Sequence, residues 1–297
     1  MANPHRIDAA DGRAVPPIPA GLARIAGQFM TQPVPDAGWQ PLSGGRTNRV
    51  WERGGVVCKL YDSDGDTPLF RNDPGAERRM LQHLTGTGLA PDLLCDRTGD
   101  SPPALIYRTV PGQALRRPNA ALIKALWQVH SVAAPVGLPM APSSPNQLLA
   151  QSEGMLATLP PGIAADLVGH RPALPEGGKT QPVLLHGDPV AANAIARPCG
   201  GITLVDWQCP ALGDPVLDLA IALSPAMQTV YGDGPLTPAE TGALLAAYPD
   251  PDTVARFRRM APLLHWRMAI YCAWRMAQGD LAYGPALTAE LDGLNRV

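Results

Sequence analysis

The stretch "LLHGDPVAANAIA", Leu184–Ala196, sets a histidine, an aspartate and an asparagine in a run that is otherwise small and apolar. Taken singly, His186, Asp188 and Asn193 are a core histidine, a turn residue and a helix cap. Taken together they allow a second reading. "VLL" before them is a short strand, Gly187 and Pro189 supply a turn, and a helix start after it would hold Asp188 and Asn193 on one rim. "ITLVD" then reads as another short strand that ends on Asp206, thirteen residues after Asn193. Two strands that deliver polar groups at their ends can converge on a metal ion. Mg²⁺ takes oxygen ligands, with few carboxylates beside phosphate oxygens and water. Asn193 and Asp206 offer an amide oxygen and a carboxylate, which leaves Asp188 to accept a proton or orient a hydroxyl.

Upstream, Lys59 sits in the apolar strand "VVCKL", where a lysine needs a reason. On its own it would be an edge-strand or snorkelling side chain. The next segment, "NDPGAERRMLQHLTGTG", starts a helix with Asp73 as cap and Pro74 in the first turn, and carries Glu77, which can pair with Lys59. The turn "SGGRTN" before the strand can present backbone N–H groups to a phosphate. A phosphate cradle, a Lys–Glu pair, an aspartate and two metal ligands are the parts of a phosphoryl-transfer site.

These pieces carry a family resemblance. "HGDPVAAN" resembles the HxDxxxxN catalytic loop of the aminoglycoside phosphotransferase and choline kinase superfamily, which shares the protein-kinase fold. "LVDWQCPALGDPVLDLA" is similar to its metal-binding segment, "LSGGRTNRVW" to its nucleotide loop and "CKLY" to its phosphate-binding lysine strand. "ERRMLQHLTGTGLAP" looks like its lysine-pairing helix and "LIYRTVPGQAL" like its lobe linker, all in the family's order from about Leu42 to Ala220. The resemblance implies ATP and Mg²⁺ as cofactors and a role for each matching residue. Asp188 would be the catalytic base, Asn193 and Asp206 the metal ligands, and Lys59 the contact to the nucleotide phosphates, oriented by Glu77. Ser43, Gly44, Gly45, Thr47 and Asn48 would cover the phosphates, and the adenine would meet backbone in the linker at Tyr107, Arg108 and Val110. His186, Asp214 and Asp218 would brace the loop and the segment after the metal site. One departure stands out: Gln208 follows the Asp-Trp pair where many relatives have a carboxylate.

The wider chain agrees with a folded enzyme. It has 297 residues, 45% hydrophobic and 17% charged. A net charge of −2 without a Lys/Arg block argues against a nucleic-acid partner. Five scattered cysteines without a CxxC pair argue against a disulfide framework or a structural zinc. No signal-peptide core or membrane-length apolar run is present, so no membrane partner and a cytoplasmic location are expected. Strands dominate the first third and helices the remainder. That order points to α+β or two lobes, and the resemblance to the protein-kinase fold implies both: a small antiparallel sheet lobe (1–110) followed by a helical lobe (111–297).

Helices are expected over Pro19–Met30, Leu148–Leu159, Leu217–Met227, Pro238–Tyr248 and Thr253–Gln278, besides those after Asp73 and Asn119. The last long helix carries Trp266, Tyr271 and Trp274, either core or the walls of a cage for a cationic acceptor; Trp207 and Gln208 are further candidates for acceptor contact. The acids of the last eighty residues are mixed with arginines, which does not make the broad acidic pocket an aminoglycoside would want. The expected partner is a small-molecule acceptor, an amino alcohol such as choline or ethanolamine, with an aminoglycoside, sugar or homoserine as alternatives within the superfamily. An inactive nucleotide-binding module would lack an essential group, and none is missing. A metal-dependent hydrolase would leave Lys59 and Glu77 unexplained.

Overall fold

Helix starts in this chain are written by short polar caps. The side chains of Asp73, Asn119, Ser144, Ser224, Thr237 and Asp250 each accept a hydrogen bond from a first-turn backbone N–H, and a proline follows all but Asn119. The computed structural model describes residues 16–31, 38–42, 47–176 and 180–296. Ser43, Gly44 and Gly45, expected over the nucleotide phosphates, lie outside the described residues. In chain order the helices are α1 (Ala20–Gly27), α2 (Pro74–His83), α3 (Ala120–His130), α4 (Pro145–Leu156), α5 (Pro161–Gly169), α6 (Val216–Ala222), α7 (Pro225–Tyr231), α8 (Pro238–Ala246), α9 (Pro251–Ala277) and α10 (Tyr283–Leu294). The strands are β1 (Gln40–Pro41), β2 (Arg49–Arg53), β3 (Val56–Leu60), β4 (Leu93–Arg97), β5 (Ala104–Arg108), β6 (Gln113–Ala114), β7 (Val183–Leu185), β8 (Ala194–Ala196), β9 (Ile202–Leu204) and β10 (Ala211–Gly213).

The chain divides into two compact units: Met1–Ala114 with Asn193–Pro210, and Leu115–Ala192 with Ala211–Val297. In the first, five strands pair antiparallel in the order β1-β2-β3-β5-β4. Side chains alternate across a strand, so Val56, Cys58 and Leu60 face one side, where they pack with Trp51, Ile106 and the α1 residues Leu22 and Ala26. Lys59 is thereby turned to the opposite side, toward α2. The segment Asn193–Pro210 belongs with this sheet unit, although the sequence assigns it to the helical lobe. Strand β8 pairs with β6 and β9, Leu204 N–H donates to Leu89 C=O at 3.0 Å, and Thr203 Oγ1 donates to Gly88 C=O at 2.8 Å. Gly112 sits where β6 begins with φ 140°, and a Cβ there would run into the Ala196 carbonyl.

The second unit is almost all helix, with one two-stranded antiparallel pair of β7 and β10. Its centre is α9, which packs against α4, α6 and α10 and buries Val254, Phe257, Met260, Leu264 and Ile270. The expected helix over Leu217–Met227 is two helices, because Ser224 caps a fresh start and Pro225 cannot continue the old one. The helix expected over Leu148–Leu159 starts earlier, at the Ser144 capping box, and a further helix, α5, follows it. Helix α10 and the short strands β4, β6, β8 and β10 are additions to the sequence reading. The fold class is α+β as expected, with an antiparallel sheet toward the N-terminus and helices toward the C-terminus. Among the described residues, no helix is long and apolar enough to cross a membrane.

Candidate active site

Register explains the first feature. Lys59 pairs with Val50 and Leu105 in the middle of the sheet, and it is only 2% exposed. Its Nζ donates to Glu77 Oε2 of α2 at 2.5 Å and to Asp206 Oδ1. Burial on its own would lower the lysine's pKa, but the Asp206 and Glu77 carboxylates outweigh it and hold the ammonium well above its ordinary range. Burial pushes the Glu77 carboxyl up, against the pull of Lys59. Tyr61, which the sequence reading passed over, closes the cluster. Its hydroxyl donates to Glu77 Oε2 at 2.5 Å, and its ring lies 4.9 Å from Lys59 Nζ. The signal for it was alternation: residue 61 follows 59 on the same face.

Asp206 comes to Lys59 through an unusual backbone. Its φ is 66°, the one positive value among the described non-glycine residues, a conformation that is held only when the surroundings impose it. The β8–β9 ladder supplies that constraint. Ala194 pairs with Leu204, and beyond it Val205 N–H donates to Asn193 C=O at 2.9 Å. Asn193 and Asp206 therefore flank the open end of one two-strand ladder, both half-buried. An amide oxygen and a carboxylate at such an end fit Mg²⁺, which takes its other ligands from phosphate and water. No group of three or more His, Cys, Asp and Glu that could hold a metal occurs among the described residues, so a cation here would rely on those non-protein ligands. The rim expected as a helix start is a single 3₁₀ turn, Ala191–Asn193, because β8 begins at once.

In the second unit, β7 delivers the loop that bears Asp188. His186 is fully buried, and Gly187 has φ 87°. Asp218 of α6 clamps the turn: its two oxygens accept the N–H groups of His186 at 2.8 Å and Gly187 at 2.9 Å. His130 of α3 meets the same carboxylate at 3.1 Å and the Tyr248 hydroxyl at 2.8 Å. Burial would raise the Asp218 pKa, but the hydrogen bond from His130 and the nearby His130, His186 and Gly187 groups hold it below the usual carboxylate range. His186 Nδ1 accepts the Asp188 N–H at 3.2 Å, so the histidine helps orient the loop. Asp214 is bound by Arg256 through two hydrogen bonds, 2.6 and 2.9 Å, and anchors the start of α6 to α9.

The chain as a whole has known relatives. The sequence profile of the phosphotransferase enzyme family matches residues 38–257. The chain belongs to that family. Its enzymes are small-molecule kinases, and the phosphotransferase described here is one of them. Among solved structures it is similar to the choline kinase LicA from Streptococcus pneumoniae, with a TM-score of 0.64 at 16% identity over 93% of this chain and 97% of that one. A choline/ethanolamine kinase family protein from Mesorhizobium loti aligns with a TM-score of 0.61 at 16% identity, over 93% and 99% of the two chains. The macrolide 2'-phosphotransferase MphH from Brachybacterium faecium aligns with a TM-score of 0.51 at 18% identity, over 93% and 98%. No curated protein sequence matches the chain significantly.

Other residues singled out in the sequence have structural duties in the phosphotransferase. Asn48 is 9% exposed and donates to both Asn72 Oδ1 and Gln208 Oε1 at 2.7 Å, so Gln208 belongs to an amide network. Trp207 is fully buried and donates to the Leu204 carbonyl at 2.9 Å. Trp266 is fully buried too, its indole N–H on Leu167 C=O at 2.7 Å. Neither ring shows a face to solvent. Tyr271 is 2% exposed and stacks on half-buried Trp274 at 6.0 Å. In the linker, Tyr107 is a buried strand residue paired with Val57, and burial raises its phenol. The N–H groups of Arg108 and Thr109 already donate to Asp92 at 2.8 Å and Gly55 at 3.0 Å. The Arg108 guanidinium holds the Phe29 carbonyl at 3.0 Å.

Proposed function

We propose that this phosphotransferase moves the γ-phosphoryl group of ATP, in the presence of Mg²⁺, to a hydroxyl of a small molecule, with an amino alcohol as the acceptor class. The observation that carries the reading is the buried Lys59 shared between Glu77 and Asp206. One acid suffices to pair a buried ammonium, and the second carboxylate is one that phosphate oxygens could replace. Lys59 would exchange Asp206 for phosphate oxygens of the nucleotide, kept in line by Glu77 and Tyr61. Asp206 and Asn193 would then hold the cation, which supplies neutralisation of the phosphate charge when bound. Thr47, with Ser43, Gly44 and Gly45, would cover the phosphates, and linker backbone about Tyr107–Val110 would meet the adenine. Asp188, in the clamped loop, would accept the proton of the acceptor hydroxyl. The amino-alcohol class is supported by the likeness to choline and ethanolamine kinases and by the modest acidity of the C-terminal helices.

The test is ADP release from Mg²⁺-ATP with choline, ethanolamine, sugars, homoserine and aminoglycosides offered in turn. Release should depend on both Mg²⁺ and one acceptor class. Asp188→Asn should abolish turnover while nucleotide affinity stays nearly intact, and Asp206→Ala should weaken Mg²⁺-ATP binding. Equal turnover by Asp188→Asn, or no release with any acceptor, would overturn the reading. Phosphate release that needs no acceptor would point instead to a hydrolase.

A further inference from the structure

Asn48 and Gln208 are both buried in the sheet unit, and 160 residues of chain separate them, yet Asn48 Nδ2 donates to Gln208 Oε1. The Asn48 amide is fully used. Its second N–H donates to Asn72 Oδ1 at 2.7 Å, and its oxygen accepts from Asn72 Nδ2 and from the Asp62 N–H, both at 3.0 Å. Asn72 Nδ2 also donates to the Asp62 carbonyl at 2.8 Å. The Gln208 carbonyl accepts the Asp73 N–H at 3.2 Å, at the cap of α2. Gly65 closes the cluster: a Cβ there would lie 2.2 Å from Asn72 Nδ2 and 2.4 Å from Thr47 Cγ2. A buried amide network satisfied in this way is rigid, and losing one member leaves the others without partners.

The network joins two parts of the nucleotide site. Asn48 is the last residue before β2 and follows Thr47, at the end of the segment expected over the phosphates. Gln208 lies two residues after Asp206. Before Asp206, the Val205 N–H donates to Asn193; after it, the Trp207 indole returns to Leu204. Both of these bonds stay at the β8–β9 ladder. Two other links run from the Asp206 segment to β2 and the residue before it: Asp206 to Lys59, which pairs with Val50, and Gln208 to Asn48. The first is the link that nucleotide phosphates would take over. The second joins two neutral amides, so an arriving phosphate has no charge there to draw away.

We propose that Gln208 and Asn48 are positioning residues for the metal–nucleotide complex. Their tie keeps Asp206 aligned with the phosphate segment after Lys59 has turned from Asp206 to the phosphates. This rests on the phosphotransfer reading and deepens it, giving a role to the position where many relatives carry a carboxylate. A neutral amide at residue 208 holds Asn48 without adding a second charge to the segment that bears Asp206.

Calorimetric binding of ADP to the full chain, once with Mg²⁺ and once with the metal chelated, tests the tie. The ratio of the two affinities is the gain that Mg²⁺ confers. A metal shared by Asp206 and the phosphates confers its gain only where the two are aligned, so the ratio reports their coupling; a loss of mere structural support would weaken both affinities alike. Gln208→Met keeps the side-chain length without the amide oxygen and should cut the gain about tenfold, the effect of leaving a buried donor unpaired. Gln208→Asn draws the oxygen back by one methylene and should act in the same direction; it serves as the test if the first variant does not fold. Asn48→Ala should cut the gain alike, and joining it to Gln208→Met should lose little more, since both break one tie. A gain unchanged in the Gln208 variants, or losses that add in full in the double variant, would overturn the positioning role and leave the nucleotide reading standing. A wild-type chain that binds ADP no better with Mg²⁺ than without it would overturn the reading of Asp206 as a metal ligand, and this proposal with it.

Discussion

Lys59 answers to two acids, and that sharing fixes what its loss would do. Lys59→Met leaves Glu77 and Asp206 without their cation, Glu77 being almost wholly buried, and should cost about 3–5 kcal/mol. Adding Glu77→Gln to that variant should recover part of the loss; denaturant titration of the two variants measures it, and a strictly additive result would mean the pair is uncoupled. Asp218 predicts a pH effect. Its folded pKa lies below the ordinary value near 3.9, so its stabilising contribution is full above about pH 4 and fades as pH falls through the folded value. Asp218→Asn should therefore lower the melting temperature at neutral pH and flatten its fall in acid, which a melting series on both proteins would show. At this scale much of the site was legible. Lys59 and Glu77 were conspicuous because a charge in an apolar strand and a carboxylate on the next helix need one another. Tyr61 and Asn72 were silent, since a tyrosine at a strand end and an asparagine before a proline-led helix are ordinary; only the fold brings them to Glu77 and Asn48.

Elements were readable where their punctuation was local. The caps at Asp73 and Asn119 and the proline-led starts at Pro238 and Pro251 mark helices that form where the periodicity puts them. The break between α6 and α7 was also written, as Ser224-Pro225, but apolar residues continue across it and masked the stop. Helix α10 has glycines and a proline in its sequence and no side-chain cap, so nothing local announces it; tertiary contacts hold it. Its buried Glu290 receives the Ser224 hydroxyl and the Ala226 N–H at 3.0 Å, and faces His265 at 2.5 Å. Glu290→Ala should then loosen α10 before the rest of the unit. Hydrogen exchange should speed up across Tyr283–Leu294 while α9 stays protected, and unchanged exchange there would show that apolar packing alone suffices.

At the level of the whole molecule, the α+β class could be read from strands giving way to helices, but the grouping of the chain could not. Strand β8 is three residues of alanine and isoleucine, too short to register as a strand, yet it and β9 tie Asn193–Pro210 to the sheet unit. A fragment ending at Ala114 loses the partner of β6, the Leu204 bond to Leu89 and the Gln208 bond to Asn48. It should not melt cooperatively, whereas an independent sheet domain would give a sharp calorimetric transition. The chain's return to its first unit also sets an order of events during synthesis. Domains commonly fold from the N-terminus as they emerge from the ribosome. Here the sheet unit stays unfinished until Pro210 has been made, by which time α3, α4 and α5 are already available to fold. A nascent chain stalled shortly after residue 114 would expose the apolar seat of β8 and β9, and chaperones would have to shield it through the interval in which the next hundred or so residues are translated.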